Sequence, residues 1–166
     1  RSRGTGLGQA VKFIPRPVVI GFGPCGIFAA LVLAQMGLRP IVLERGKPVR
    51  ERTKDTWGLW RQGQLDPVSN VQFGEGGAGT FSDGKLTTRI GHPATRYVID
   101  TFVRFGAHPR IAYLAKPHVG TDVIRKCAVL MRKDAERRGA RYRWNSPLVD
   151  IEFQEGRVVA AVVGNG

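Results

Sequence analysis

The chain has 166 residues, 42% hydrophobic and 23% charged, with a formal net charge of +13, a size and composition that suit one globular core. It contains no apolar run near the ~20 residues a membrane span requires, and its first residues, RSRGTGLGQAVKFIPRP, lack the apolar core of a secretory signal. Its two cysteines, Cys25 and Cys127, lie far apart and its three histidines are scattered, which argues against a disulfide framework, a metal site or a redox dithiol and fits a reducing cytoplasm.

The first residue is Arg1 rather than Met, as expected of a processed chain or of numbering that starts inside a longer gene product. Basic residues crowd into 45–61 (Arg45, Lys47, Arg50, Arg52, Lys54, Arg61) and into 125–143 (Arg125, Lys126, Arg132, Lys133, Arg137, Arg138, Arg141, Arg143). Such an excess attracts nucleic acid, anionic membrane or a polyphosphate ligand. No aromatic-interleaved RNA motif or DNA-binding helix accompanies it, so a solvated helix face is the simpler reading.

In chain order, PVVI (17–20) is a short apolar run that stops at glycine, the pattern of a buried parallel strand. After GFGPCG the stretch IFAALVLAQMG predicts a helix with Ile27, Ala30, Leu31 and Ala34 on one face and Gly37 ending it. IVLE (41–44) is a second buried-strand run, so strand, glycine turn, helix and strand form one βαβ unit. From Lys47 to about Arg61 the pattern is polar and helical, with Trp57 and Trp60 able to share a face. A glycine-rich stretch reaches to about Gly91, long enough to be functional or disordered.

Residues 92–106 read as a helix carrying Tyr97, Val98, Phe102 and Phe105 on one face. Thr121 is the expected N-cap of a further helix, with Asp122 at its positive end. That helix buries Val123, Ile124, Cys127, Leu130, Met131 and Ala135, and closes at 137–139. The period then changes to two: RYRW (141–144), LVDIEF (148–153) and RVVAAVV (157–163) read as a β-meander with a turn at QEG.

Gly21-Phe22-Gly23-Pro24-Cys25-Gly26 is a GxGxxG sequence between a strand and a helix. Gly21 permits the tight turn, Gly23 lets a pyrophosphate approach the backbone, and Gly26 lets helix and strand pack closely. The helix N-terminus offers free N–H groups to the diphosphate. Glu44, at the end of the second strand, supplies the carboxylate that accepts ribose hydroxyls and disfavours a 2′-phosphate, with Arg45 beside it. Cys25 at a helix N-terminus has a reactive reading, opposed by the negative cofactor and by its fit as a small packing residue. After the βαβ unit come a basic helix, the segment FGEGGAGTFSDGKL, two helices and the meander, rather than further βαβ repeats.

RPVVIGFGPCGIFAALVLAQMGLRPIVLERG, SNVQFGEGGAGTFSDGKL and YLAKPHVGTD together resemble the FAD-dependent dehydrogenases, or FAD-binding proteins without a described substrate, within the glutathione-reductase-like flavoprotein superfamily. The resemblance implies an α/β fold with a Rossmann-like FAD/NAD(P)-binding domain, a parallel sheet with its βαβ unit plus a β-meander, incomplete at the C-terminus. Residues 1–16 would be an extension or linker and 17–166 the FAD-binding domain of a longer, cytoplasmic flavoprotein. It implies FAD contacts through the backbone at Gly21, Gly23, Pro24, Cys25 and Gly26, and adenosine contacts at Glu44 and Arg45. Gly76, Gly77, Ala78, Gly79 and Thr80 would border the flavin, and Val149 would touch the adenine through its main chain. Lys85, oriented by Asp83, is either a cation beside the flavin or half of a surface salt bridge.

These readings point to an FAD-dependent oxidoreductase acting on a small molecule. The alternatives are a flavin-containing RNA-binding or RNA-modifying protein, suggested by the charge, and an NAD-binding regulatory module.

Overall fold

The computed structural model describes residues 16–88 and 90–164. The run of β-branched residues that halts at Gly21 forms β1 (Val18–Ile20), and the second run forms β2 (Ile41–Leu43). They pair in parallel, Val18 opposite Ile41 and Ile20 opposite Leu43. Between them α1 (Pro24–Gln35) starts on a proline, where a missing N–H costs nothing and the fixed φ is already helical. Its buried positions are Gly26, Ile27, Ala30, Leu31 and Ala34, the expected face with Gly26 added. Gly37, at φ 78°, ends the helix, its N–H bonded to the Ala34 carbonyl at 3.0 Å.

Helix α2 (Val49–Gln62) stops at Gly63, which takes the left-handed conformation. Trp57 and Trp60 do share a face, 5.8 Å apart edge to face, but that face is exposed. The buried positions of α2 are Arg52 and Thr56. The glycine-rich stretch carries one 3₁₀ turn, Gly77–Phe81. Helix α3 (Ala94–Arg104) sets Phe102 against the core, and Phe105, the residue that ends the helix, is buried in it, while Tyr97 stays on the surface.

Helix α4 (Thr121–Arg137) packs on α1 and buries Cys127, Ala128, Met131 and Ala135; Val123, Ile124 and Leu130 are only half-buried. Thr121 does not cap it. Gly120 occupies that position, and the Thr121 hydroxyl donates instead to the Ser82 carbonyl at 2.8 Å. The core formed by these elements includes Phe22, Leu31, Val42, Phe105, Ile111, Cys127 and Met131.

The expected three-stranded meander divides between two sheets. β3 (Arg141–Arg143) lies parallel to β2, Val42 opposite Tyr142, and gives a sheet of order β1-β2-β3. Only β4 (Leu148–Gln154) and β5 (Arg157–Val163) form the antiparallel hairpin. Its turn is Glu155-Gly156, at φ 49° and 75°, the mirror-image turn whose twist matches a hairpin. A period of two is shared by hairpin strands and by a parallel edge strand with one face covered, so RYRW carried no sign of its partner. β1 also departs from the expected buried strand: Val19 is buried, but Val18 and Ile20 are exposed on its other face. No helix among the described residues is long and apolar enough to cross a membrane.

Candidate functional site

The chain leaves β1 through Gly21, whose φ of 84° is the left-handed value that a tight turn needs. The Gly21 N–H is held by the Leu43 carbonyl at 2.7 Å. A Cβ on Gly26 would stand 2.0 Å from the Gly21 oxygen. That position therefore admits only glycine, and the close passage of helix over strand follows. At Gly23 the chain enters α1, and the first helical bond runs from Ile27 N–H to the Gly23 carbonyl at 2.9 Å.

The second glycine-rich segment reaches this turn directly. Gly76 N–H donates to the Phe22 carbonyl at 2.8 Å, and a Cβ on Gly77 would come 3.0 Å from Gly23 Cα. A third glycine contact lies alongside, where a Cβ on Gly46 would sit 2.6 Å from Gly74 Cα. These backbones converge because they have no side chains to separate them.

Glu44 joins all three. Its buried carboxylate accepts the N–H of Phe22 at 2.7 Å, of Gly46 at 2.8 Å and of Gly74 at 2.9 Å. A carboxylate has about four acceptor sites, so about one remains, and Glu44 is among the residues that line the adjoining groove.

Further side chains tie the glycine segment down. Arg52, fully buried, donates Nε to Asn70 O at 2.7 Å, Nη1 to Glu75 O at 2.6 Å and Nη2 to Val71 O at 2.6 Å. Glu75, also fully buried, accepts the Val49 N–H at 2.8 Å and Arg132 Nε at 2.7 Å. Lys47 bridges Asp55 and Asp66 at 3.0 and 3.1 Å. Part of the basic excess assigned to a solvated helix face is thus internal. Sequence reasoning missed Arg52 because the tryptophans marked the wrong face of α2. It missed Glu75 because it read FGEGGAGTFSDGKL for its glycines, although one carboxylate inside such a run was a visible signal.

A groove of about 680 Å³ opens over the joined turns, lined by Gly21, Gly23, Glu44, Arg45, Gly77 and Val149 among the predicted residues, and also by Gln72, Phe73, Gly74 and Ser146. The Arg45 guanidinium lies 4.3 Å from the centre of the Phe73 ring on its rim. Gly26 is buried beneath the turn. Thr80 is buried with its hydroxyl donating to Glu75 O at 2.7 Å, and Gly76 must be glycine because a Cβ would overlap the Thr80 hydroxyl. Ala78 is exposed.

Pro24, Cys25, Gly79 and Lys85 line a different cleft, mostly apolar and about 760 Å³, between α1 and α3. Lys85 is 73% exposed and pairs with Asp83 at 2.9 Å, and this bond raises its ammonium pKa and lowers that of the carboxyl. Asp83 thus orients Lys85 at the surface, on the edge of the cleft between α1 and α3. The thiol of Cys25 is exposed and unpaired.

No family model matches the chain. A protein of Clostridium beijerinckii (strain ATCC 51743 / NCIMB 8052) described only as uncharacterised is 49% identical over 148 residues, covering 89% of this chain and 28% of the relative. The chain thus spans little more than a quarter of that relative's length. Among solved structures, the 3-ketosteroid-Δ4-(5α)-dehydrogenase of Rhodococcus jostii RHA1, in complex with 4-androstene-3,17-dione, superposes with a TM-score of 0.57 at 16% identity, over 99% of this chain and 45% of that one. An L-amino acid deaminase of Proteus myxofaciens in complex with anthranilate gives 0.41 at 14% identity, over 99% and 46%. The first likeness shows an α/β fold shared with part of a dehydrogenase.

Proposed function

We propose that this chain is a Rossmann-like FAD-binding region of an oxidoreductase of the dehydrogenase kind. The observation that carries the reading is the contact of Gly76 and Gly77 with Phe22 and Gly23 beside an open groove whose rim includes Glu44. Two glycine walls meeting at a strand–helix turn leave main-chain surface free for a long, anionic ligand to lie against. FAD is favoured over NAD because the βαβ unit is followed by this second wall instead of further βαβ repeats. The dehydrogenase with a shared fold adds the reaction class by analogy of fold, and nothing about a substrate.

In this reading the turn from Gly21 to Gly26 and the N-terminus of α1 take the pyrophosphate. Glu44 uses its one remaining acceptor site for the ribose, Arg45 stands beside it, and the main chain at Val149 meets the adenine. The segment Gly76–Thr80 lies toward the flavin nucleotide, Pro24 and Cys25 offer their backbone to the pyrophosphate, and Lys85 lies in the cleft between α1 and α3. Bound flavin supplies hydride or electron transfer; the residues of this chain bind and orient it and keep side chains out of its path. The test is absorbance of the gently purified protein at its natural full length. Bands near roughly 370 and 450 nm, as a bound flavin gives, are expected. A colourless protein that also fails to take up added FAD would overturn the proposal.

A further inference from the structure

Glycine-rich backbone loses more conformational freedom on ordering than any other, about 1–2 kcal/mol per residue or more. The segment 70–81 contains Gly74, Gly76, Gly77 and Gly79, so its shape has to be imposed by neighbours. Arg52 is the first of these. All three of its hydrogen bonds go to main-chain carbonyls, those of Asn70, Val71 and Glu75, and none to a carboxylate. Its stem lies directly behind the groove: a Cβ on Gly74 would stand 2.5 Å from Arg52 Cδ, and Gly74 lines the groove on its other side. Burial lowers the guanidinium pKa to about 10, with Glu44 and Glu75 opposing that effect, so the group is charged at neutral pH.

Arg125, from α4, is the second. Its Nε donates to Thr80 O at 3.0 Å. The two guanidiniums share one aromatic ring, lying 4.9 Å (Arg52) and 4.6 Å (Arg125) from the centre of Phe81. Between them they grip the segment near both ends, at residues 70–75 and at residue 80, and neither lines the groove.

We propose that Arg52 and Arg125 are positioning residues for the dinucleotide: Arg52 sets the wall at the adenosine end, and Arg125 sets it at the distal end. This rests on the FAD reading above. The prediction is a split between two ligands, because ADP needs only the adenosine end and FAD needs both.

The experiment uses flavin-stripped protein at natural full length, with titration calorimetry for FAD and for ADP and amide hydrogen exchange of the free protein. Arg125→Gln should weaken FAD about tenfold, the loss expected for one hydrogen bond from a charged donor, and leave ADP within twofold. Arg52→Met should weaken both ligands by about tenfold or more and speed exchange across 70–76, and Arg52→Lys should recover part of the loss. FAD affinity within twofold of wild type in both Arg125→Gln and Arg52→Met would overturn the proposal. So would an equal loss for ADP and FAD in Arg125→Gln, the mark of general damage to the fold. Should Arg52→Met fail to fold, the half-exposed Arg125 carries the test alone. Wild-type protein that binds neither ligand would sink the FAD reading, while faster exchange across 70–76 in Arg52→Lys would still support the brace and unchanged exchange would overturn it.

Discussion

The Glu44 carboxylate offers the sharpest test of how the site is held, and Glu44→Gln is the perturbation. Oε1 accepts from Gly46 and Gly74, and Oε2 from Phe22. A glutamine amide keeps one oxygen, which can retain the first two donors. Its NH₂ group then faces the Phe22 N–H, donor against donor. One charge-assisted bond worth about 1.5–3 kcal/mol is lost, and the other two drop from charged to neutral strength, about 1 kcal/mol less each. Together these amount to about 3–5 kcal/mol, a large share of the 5–15 kcal/mol typical of a domain. Urea unfolding of the nucleotide-free protein, followed by far-ultraviolet circular dichroism, should show a lower midpoint at unchanged slope. A loss under about 1 kcal/mol by the same free-energy scale would refute the reasoning, because the carboxylate would then act on ligand alone.

The Lys47 bridge gives a pH prediction. Asp55 first, and Asp66 with it, raise the Lys47 ammonium above its ordinary 10.5 against burial. Its contribution is full below that value and is lost as pH rises through the folded one. Burial opposes the lowering of Asp66, but the Val68 N–H and the Lys47 ammonium hold its carboxyl below the ordinary 3.8. Its contribution is full above that value and is lost as pH falls through the folded one. Hydrogen exchange at Val68 and Ser69 should therefore quicken at both extremes beyond the intrinsic dependence, and Lys47→Met should abolish the alkaline limb while leaving part of the acid one; an unchanged alkaline limb would refute this. Thiol accessibility gives another check: Cys25 is exposed, whereas Cys127 is buried, its pKa raised by burial. An aromatic disulfide reagent should titrate one thiol rapidly in the native protein and the second only on unfolding, and two fast thiols would contradict the packing of α4 on α1.

The βαβ unit was legible in the sequence because its signals are local. A β-branched run, a glycine turn, a helical face and an acidic residue at the end of the next strand fall within 28 residues, 17–44, and each constrains the next. The hairpin turn was legible for the same reason, since Glu155-Gly156 needs a residue that tolerates positive φ. The sheet assignment of β3 was not. Tyr142 alternates with Arg141 and Arg143 whether its partner is β2 or a hairpin strand, and only the register of Val42 opposite Tyr142 decides the question. Of the candidate site, Gly21, Gly23, Gly26 and Glu44 were marked by spacing and the second glycine segment by resemblance, but the contact between the two segments was not legible.

Arg52 was illegible for a different physical reason. A charged side chain in a polar helix is read as solvent-facing because charged groups are almost never fully buried without a partner. The partners of Arg52 are main-chain carbonyls, which sequence does not mark. The excess positive charge takes on another meaning in that light. Arg52, Arg125 and Arg132 bind the glycine segment at carbonyls and at Glu75, and Lys47 holds Asp55 and Asp66. A wall made of glycine cannot brace itself. The three larger side chains within 75–81 are each already engaged, Glu75 with Val49 and Arg132, Thr80 with the Glu75 carbonyl, and Phe81 beneath two guanidiniums. Rigidity then has to come from cations on α2 and α4, because carbonyl oxygens are what a side-chain-free segment offers, and arginine is the side chain that can hold several of them from inside a core.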